Sequence, residues 1–138
     1  MTPGRPDYDG EVEFAYEPNP NNDWADPGEI VWTWVPYEDD PRQGKDRPVL
    51  VIGYDGAHVL GLMLTSKDHD RDAADEARHG RHWFDIGSGQ WDRDRRPSEV
   101  RVDRILTLDP GAIRREGTVL DRSRFDQVVA EADRVRNR

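Results

Sequence analysis

The sequence predicts an α+β domain in which about five to seven short strands form a small, strongly bent antiparallel β-barrel with helices packed against it. Three observations support this prediction. Runs of β-branched and aromatic residues are separated by polar, turn-rich segments. Two of these runs are joined by Asp55 and Gly56, a tight-turn pair typical of a hairpin. Near the end of the chain, residues 121–135 repeat apolar side chains at helical spacing.

The predicted strands are short segments rich in valine, isoleucine, leucine and aromatic residues. The first ends at Pro36, and the second begins at Arg47 with a nearly continuous apolar run, as expected of a strand buried on both faces. The predicted strands cover residues 29–37, 47–54, 58–66, 81–87 and 98–108.

Capping residues predict three helices. Residues 67–80, rich in Ala, Asp, Glu and Arg, predict a short solvated helix inserted after the third strand and ended by a glycine. Asp109 before Pro110 predicts a second short helix that ends at Gly117. The third, capped by Asp121, has one apolar face that must pack on the sheet. That face consists of Phe125, Val128, Val129, Ala132 and Val135.

The chain is predicted to consist of an acidic N-terminal arm, residues 1–27, and a barrel domain, residues 28–138. The arm is rich in proline and asparagine and has few apolar anchors, which favours an irregular segment. Residues 11–17 nevertheless alternate as a short strand laid on the body would. An ordered, docked arm and a loose arm therefore both stay open.

Charge is distributed unevenly along the chain. Residues 1–40 carry eleven acidic side chains and one basic side chain, a net charge of −10. Residues 41–138 carry nineteen basic and eighteen acidic side chains, a net charge of +1. A near-neutral body with local basic patches can bind a phosphate backbone, so the total of −9 does not exclude RNA.

Composition excludes several classes of function. Without cysteine, the chain can form no disulfide framework, thiolate metal site or thiol nucleophile. The sequence contains neither a long apolar run nor the basic and apolar start of a secretory signal. We therefore expect a cytoplasmic protein with no membrane partner.

Four segments, taken in order, resemble the PemK/MazF toxins. Residues 28–32, Gly-Glu-Ile-Val-Trp, open the first strand, and a glycine-containing loop leads into residues 47–52, Arg-Pro-Val-Leu-Val-Ile. Residues 64–66, Leu-Thr-Ser, close the third strand. The strand over residues 100–109 then runs through an Asp-x-Ile-x-Thr-x-Asp pattern into a predicted helix. The resemblance extends to about residue 136.

The resemblance implies an SH3-like barrel that forms a homodimer, cleaves single-stranded RNA without metal or other cofactor, and is neutralised by a small antitoxin protein. It assigns Arg47 to the scissile phosphate and Thr65 to a hydrogen bond with that phosphate. Because the pKa of arginine is so high, the expected role of Arg47 is electrostatic rather than proton transfer. Taken alone, Arg47 would be a strand-start arginine paired with Asp46 or Asp85.

Further substrate-binding candidates lie beside these two residues. Ser66 follows Thr65 directly, and the loop that covers the RNA channel in the family corresponds to residues 41–46. In this loop, Arg42, Gln43 and Lys45 are candidates for contacts with RNA, and the basic pair is suited to phosphates. Many relatives have an acidic residue where Arg42 stands, so this sequence departs from the pattern. A solvated charged loop is the alternative interpretation.

A second hypothesis is a non-catalytic module in which the same barrel binds a peptide or a nucleic acid. The acidic arm, the inserted charged helix and the missing acidic loop residue motivate it. In one version, the arm lies over Arg47, imitates RNA and acts as a built-in inhibitor.

A third hypothesis, a metal-dependent hydrolase, requires His69, His79 and His82 to converge, although their spacing fits no common zinc pattern. Tryptophans also suggest base stacking. We expect Trp34 and Trp83 to pack instead, in the core or at a dimer interface. For the loop residue Trp91, packing and base stacking both stay open.

Overall fold

A computed structural model describes residues 7–19, 24–56, 58–66 and 82–136. In these ranges the chain forms nine strands, one 3-10 turn and one α-helix. The predicted helix over 67–80 lies outside the described residues. The strands are β1 (Asp7–Tyr8), β2 (Glu13–Phe14), β3 (Glu29–Pro36), β4 (Gly44–Asp55), β5 (His58–Thr65), β6 (Trp83–Gly87), β7 (Ser98–Arg101), β8 (Ile105–Leu108) and β9 (Arg114–Val119). The 3-10 turn is Pro110–Ala112, and helix α1 is Arg122–Arg136.

All strand pairs are antiparallel, and the sheet curls into a partial barrel with the order β1-β8-β5-β4-β3-β9. Strand β4 lies at its centre, between β3 on one side and β5 on the other. Strand β5 pairs with β8 near its start and with β7 at its end, and β7 continues to β6. The predicted α+β antiparallel barrel with a C-terminal helix is confirmed.

Each face of the sheet carries its own hydrophobic core, because successive side chains of a strand point to opposite faces. The helix-side core is covered by α1. It comprises Ile30, Leu50, Ile52, Leu60, Leu62, Leu64, Ile86, Trp91, Val100, Val102, Ile105, Leu120, Phe125, Val128 and Ala132. The second core lies on the other face and comprises Val31, Val35, Val49, Val51, Met63, Leu106 and Leu108. Strand β4 therefore has no solvated face along its central residues.

Helix α1 packs on the helix-side core as its apolar spacing predicts. Phe125, Val128 and Ala132 are buried, while the Asp121 carboxylate accepts a hydrogen bond of 3.0 Å from the backbone N–H of Arg124. That bond is an N-cap and satisfies a donor that the first helical turn leaves free. The Phe125 ring lies 5.0 Å from the ring of Tyr16, so the helix also holds the arm.

The described part of the arm is docked on the barrel. Strand β1 pairs with β8, β2 pairs with β4, and the side chains of Tyr8, Val12, Phe14 and Tyr16 pack against the helix-side core. The Tyr16 hydroxyl donates a hydrogen bond of 2.7 Å to the carbonyl of Leu120. Of the two alternatives for the arm, the described residues adopt the ordered one.

Two predicted elements differ from the structure. The predicted strand over 98–108 is two strands, separated by a bend at Val102 and Asp103. The bend arises because Asp103 accepts a hydrogen bond of 2.7 Å from the backbone N–H of His82, and this bond turns the chain from one partner strand to another.

The second difference concerns the helix predicted from Asp109 to Gly117. Asp109 does cap a turn, accepting a hydrogen bond of 2.9 Å from the N–H of Gly111, but the turn ends at Ala112. The chain then enters β9, whose backbone pairs with β3.

None of the helices in the described ranges has the length and apolar character needed to span a bilayer.

Replacing Phe125 with alanine tests the contact between α1, the sheet and the arm. The Phe125 side chain is buried, so its loss should lower the free energy of unfolding by about 3–5 kcal/mol. Urea unfolding followed by circular dichroism measures this change. Gln127→Ala, at an exposed position of the same helix, is the control and should change stability by less than about 0.5 kcal/mol. Equal effects of the two substitutions would contradict the packing.

Gly53→Ala tests the docking of the arm. A Cβ atom at Gly53 would collide with the backbone carbonyl of Glu13 on β2, so the substitution should release the arm and leave the barrel folded. Limited proteolysis should then cut within residues 7–19 faster than in the wild type. Gly56→Asn is the control, because asparagine tolerates the positive φ of that open turn position. If the arm of Gly53→Ala resisted proteolysis as well as the arm of the wild type does, the result would argue against the pairing of β2 with β4.

Candidate functional site

A row of polar side chains crosses four strands at one end of the second core. Strand pairing places Thr33 opposite Arg47 and Thr65 opposite Glu99, and directly opposed residues share a face. The pairing of β4 with β5 sets Val49 opposite Met63, and two residues further along each strand stand Arg47 and Thr65. The two residues assigned by the resemblance therefore lie on neighbouring strands and on the same face.

Arg47 is a partly buried cation, and none of the carboxylates in the described ranges forms an ion pair with it. Its side chain makes no hydrogen bond or ion pair with any residue in the described ranges. Burial lowers its pKa, the phenol of Tyr37 acts in the opposite direction, and the guanidinium of Arg104 lowers it further. Asp46 pairs instead with Arg114 at 2.8 Å, and Asp85 accepts a hydrogen bond of 2.9 Å from the N–H of Gly87. The local environment therefore favours an anion beside Arg47.

Arg104 brings a second guanidinium to the same face. It is only 6% exposed, and its Nη2 donates a hydrogen bond of 3.0 Å to the carbonyl of Pro36. Its Nη1 lies 3.7 Å from the sulfur of Met63. The side chain thus lies across the second core, held by the last residue of β3, and adds positive charge near Arg47.

Thr65 and Ser66 differ in exposure. Thr65, the last residue of β5, is 7% exposed, whereas Ser66 follows the strand and is exposed. The backbone direction of β5 places the hydroxyl of Thr65 in the polar row. Ser66 lies next to the row without belonging to a strand.

The loop between β3 and β4 closes on its own backbone and presents its side chains to solvent. The N–H of Tyr37 donates to the carbonyl of Gln43 at 2.8 Å, and the N–H of Gln43 donates to the carbonyl of Asp40 at 2.9 Å. Arg42 is 91% exposed and pairs with Asp40 at 3.2 Å. Lys45 is also exposed, and lies on β4 at the position that shares a face with Arg47.

A buried ion-pair network anchors this loop. The guanidinium of Arg101 binds Glu38 through two hydrogen bonds of 3.1 and 2.9 Å. It also binds Asp103 through Nε at 3.0 Å and Nη2 at 2.8 Å. Burial alone would lower the pKa of Arg101, but its hydrogen bonds and ion pairs with the two carboxylates raise it. Arg101 is thus a compensated charge, in contrast to Arg47.

Comparison with known proteins decides the family. Residues 26–135 match the family model described as the PemK-like, MazF-like toxin of type II toxin-antitoxin systems. The chain belongs to the PemK/MazF toxin family. A search of curated proteins found no match. The matched segment contains every strand from β3 to β9 and nearly all of α1, while the docked part of the arm precedes it. As a type II toxin family, its members act with an antitoxin partner and are generally endoribonucleases.

The structure adds three residues to the candidate site that were not assigned from the sequence. Glu99, Arg101 and Arg104 are charged but no more than 7% exposed, and all lie around the polar row. The sequence carried a signal for the first two, because Glu99 and Arg101 alternate with Val100 and Val102. It could not indicate that this strand pairs with the end of β5.

The tryptophans take three different places. Trp34 is 50% exposed and lies against Gly44, so it is not a core residue of this chain, and its packing at a dimer interface stays a prediction. Trp83 packs partly against the second core, as predicted. Trp91 is buried, and its indole N–H donates to the hydroxyl of Ser98 at 3.0 Å.

The metal hypothesis draws no support from the part of the chain that is described. Of its three histidines, His69 and His79 lie outside the described residues, and only His82 is placed. Within the described ranges no group of three His, Asp or Glu side chains is arranged to hold a metal ion.

Removing the carboxylates of the network one at a time should have unequal effects on stability. Asp103 is 11% exposed and binds both Arg101 and the backbone of His82, whereas Glu38 is 45% exposed. Asp103→Asn should therefore lower the free energy of unfolding by about 2–4 kcal/mol. Glu38→Gln should lower it by less than about 1 kcal/mol. Urea unfolding of both variants gives the comparison, and a larger loss in Glu38→Gln would show that the loop, not the bend, depends on Arg101.

Proposed function

We propose that this protein is an endoribonuclease that cleaves single-stranded RNA, with Arg47 and Thr65 at the scissile phosphate. The observation that supports this proposal is the placement of the two residues. They lie on neighbouring strands and one face, and the guanidinium of Arg47 is without a carboxylate partner among the described residues. A partly buried, uncompensated guanidinium is suited to a phosphodiester, with which it can form two parallel hydrogen bonds.

The reaction follows from the chemistry of RNA. The ribose 2′-oxygen attacks the adjacent phosphorus and gives its proton to solvent water, while the bond from phosphorus to the 5′-oxygen breaks and that oxygen takes a proton from solvent water. The products are a 2′,3′-cyclic phosphate and a 5′-hydroxyl. Negative charge increases on the phosphoryl oxygens in the transition state, so Arg47, with Arg104 nearby, would stabilise it electrostatically. Thr65 would orient the phosphate through its hydroxyl. In this route side chains supply charge stabilisation and orientation, and solvent water carries the protons, so the reaction is expected to proceed without metal or cofactor.

Single-stranded rather than duplex RNA is the proposed substrate. Tyr37 is 36% exposed and lies close enough to Arg47 to affect its pKa, so its ring can stack on a base next to the bound phosphate. A base paired in a duplex does not offer its face to such a ring. The proposed contacts to flanking nucleotides are Ser66, next to Thr65, and the residues Arg42, Gln43 and Lys45 around the start of β4.

The proposed assembly is a homodimer held inactive in the cytoplasm by its antitoxin. The family supports the antitoxin, since type II toxins act with a protein antitoxin, whereas the homodimer rests on the sequence resemblance alone. The described part of the arm pairs with β4 at Gly53 and Tyr54, near the opposite end of the strand from Arg47. Inhibition is therefore assigned to a separate antitoxin and not to the described arm residues.

The first test is cleavage of a defined single-stranded RNA, in EDTA, by the wild type and by Arg47→Ala. We expect the wild type to cleave and the variant to lose about 10²–10³-fold in rate, the usual cost of removing a group that stabilises transition-state charge. Gel analysis with identification of the product ends should give cyclic phosphate and 5′-hydroxyl termini.

Arg134→Ala is the matched control, because this exposed arginine pairs with Glu131 on α1, away from the polar row. Activity that EDTA abolishes, or that survives Arg47→Ala, would refute the mechanism. RNA binding without cleavage by the wild type would instead favour the non-catalytic module.

A further inference from the structure

A cavity of about 350 Å³ opens at the far end of the second core from Arg47. Tyr54, which lines it, stands seven positions along β4 from Arg47, about 20 Å at the usual rise of a strand. The Tyr54 wall thus lies far from Arg47, whereas the Ile113 wall adjoins Ala112, whose carbonyl accepts a hydrogen bond of 3.5 Å from Thr33 in the polar row. Its walls are Trp24, Ala25, Asp26, Tyr54, Val59, Pro110 and Ile113.

The walls combine aromatic rings with apolar side chains of the second core. Trp24 is 68% exposed, the largest exposure among the large hydrophobic residues that the structure describes. Ala25, Val59 and Ile113 form the apolar part and pack against the second core. An exposed indole at the mouth of an apolar cavity offers a π-face to a ligand. Folding of the described chain does not require that exposure.

The charge around the cavity is negative. Asp26 lines it and is hydrogen-bonded to the hydroxyl of Tyr54. Burial raises the pKa of Tyr54, and the carboxylates of Asp26, Glu17 and Glu29 raise it further. Among the lining residues that the structure describes, none is a lysine or an arginine. The first 40 residues of the chain, which supply these carboxylates, carry a net charge of −10.

We propose that this cavity binds a lysine or arginine side chain of a partner polypeptide. Aromatic faces and a carboxylate together stabilise an organic cation, and the apolar floor can bury the methylene stem of such a side chain. A volume of 350 Å³ is at the small end for ligand pockets, which suits one inserted side chain. The acidic surroundings draw a basic segment toward the cavity and disfavour a phosphate backbone.

The probe for this site is the blocked peptide acetyl-glycyl-arginyl-glycine amide, and its matched control is the same peptide with citrulline in place of arginine. The two differ in charge but hardly in shape. Nitrogen–proton correlation NMR spectra of the wild-type protein would follow the indole N–H signals. The signal of Trp24 is identified as the one that is missing in Trp24→Ala. We expect the arginine peptide to shift the Trp24 signal and to bind about fivefold or more tightly than the citrulline peptide. Raising the salt concentration should weaken the binding of the arginine peptide and leave the binding of the citrulline peptide unchanged.

Variants localise the binding. Asp26→Asn keeps the shape of the side chain and should lose the preference for arginine over citrulline. Trp24→Ala should lose binding, measured by saturation transfer to the peptide. Trp34→Ala, which removes the other half-exposed tryptophan, should bind like the wild type.

Equal binding of the two peptides, or a shift confined to Trp34, would overturn the proposal. So would a shift of Trp24 by a mononucleoside but not by the arginine peptide, since the cavity would then be a nucleobase site. None of these outcomes depends on whether the protein cleaves RNA.

Discussion

The double burial of strand β4 is the constraint on which the rest of this structure depends. Between Val49 and Ile52 its side chains enter two different cores, and both of its edges are paired. A strand of this kind cannot slip by one residue, because both sets of side chains would exchange faces. Its fixed register in turn fixes what stands at its two ends, Arg47 at one and Tyr54 at the other. The proposed catalytic site and the proposed cation site are thus separated by one rigid apolar strand.

Two arginines on one face, Arg101 and Arg47, differ in whether carboxylates compensate their charge. Arg101 is compensated by two carboxylates and fastens the loop after β3 to the bend after β7. Arg47 has no such partner in the described chain and lies near another guanidinium. A buried charge without compensation is costly to fold, so its retention is more readily explained by an anionic ligand than by stability. The folded protein would recover that cost when phosphate binds.

Local features were predictable wherever they depend on residues close together in the chain. The N-cap at Asp121, the apolar face of α1 and the hairpin at Asp55 and Gly56 were all predicted, because each follows from side chains within a few positions. The predictions for residues 98–108 and 110–117 were wrong because distant partners decide those segments. Asp103 bends the first by binding His82, and pairing with β3 extends the second as a strand.

The sequence by itself determined the strands from β3 to β6, the C-terminal helix, the lack of thiol chemistry and, through four short segments, the toxin family. It also indicated Arg47 and Thr65, but only by resemblance. Tertiary structure alone decided that these two share a face and that the described arm docks far from Arg47. It also decided which buried charged residues lie around them, namely Glu99, Arg101 and Arg104. Hydrophobic period and capping are local properties, whereas register, ion pairing and the walls of a cavity arise from contacts between residues far apart in the chain.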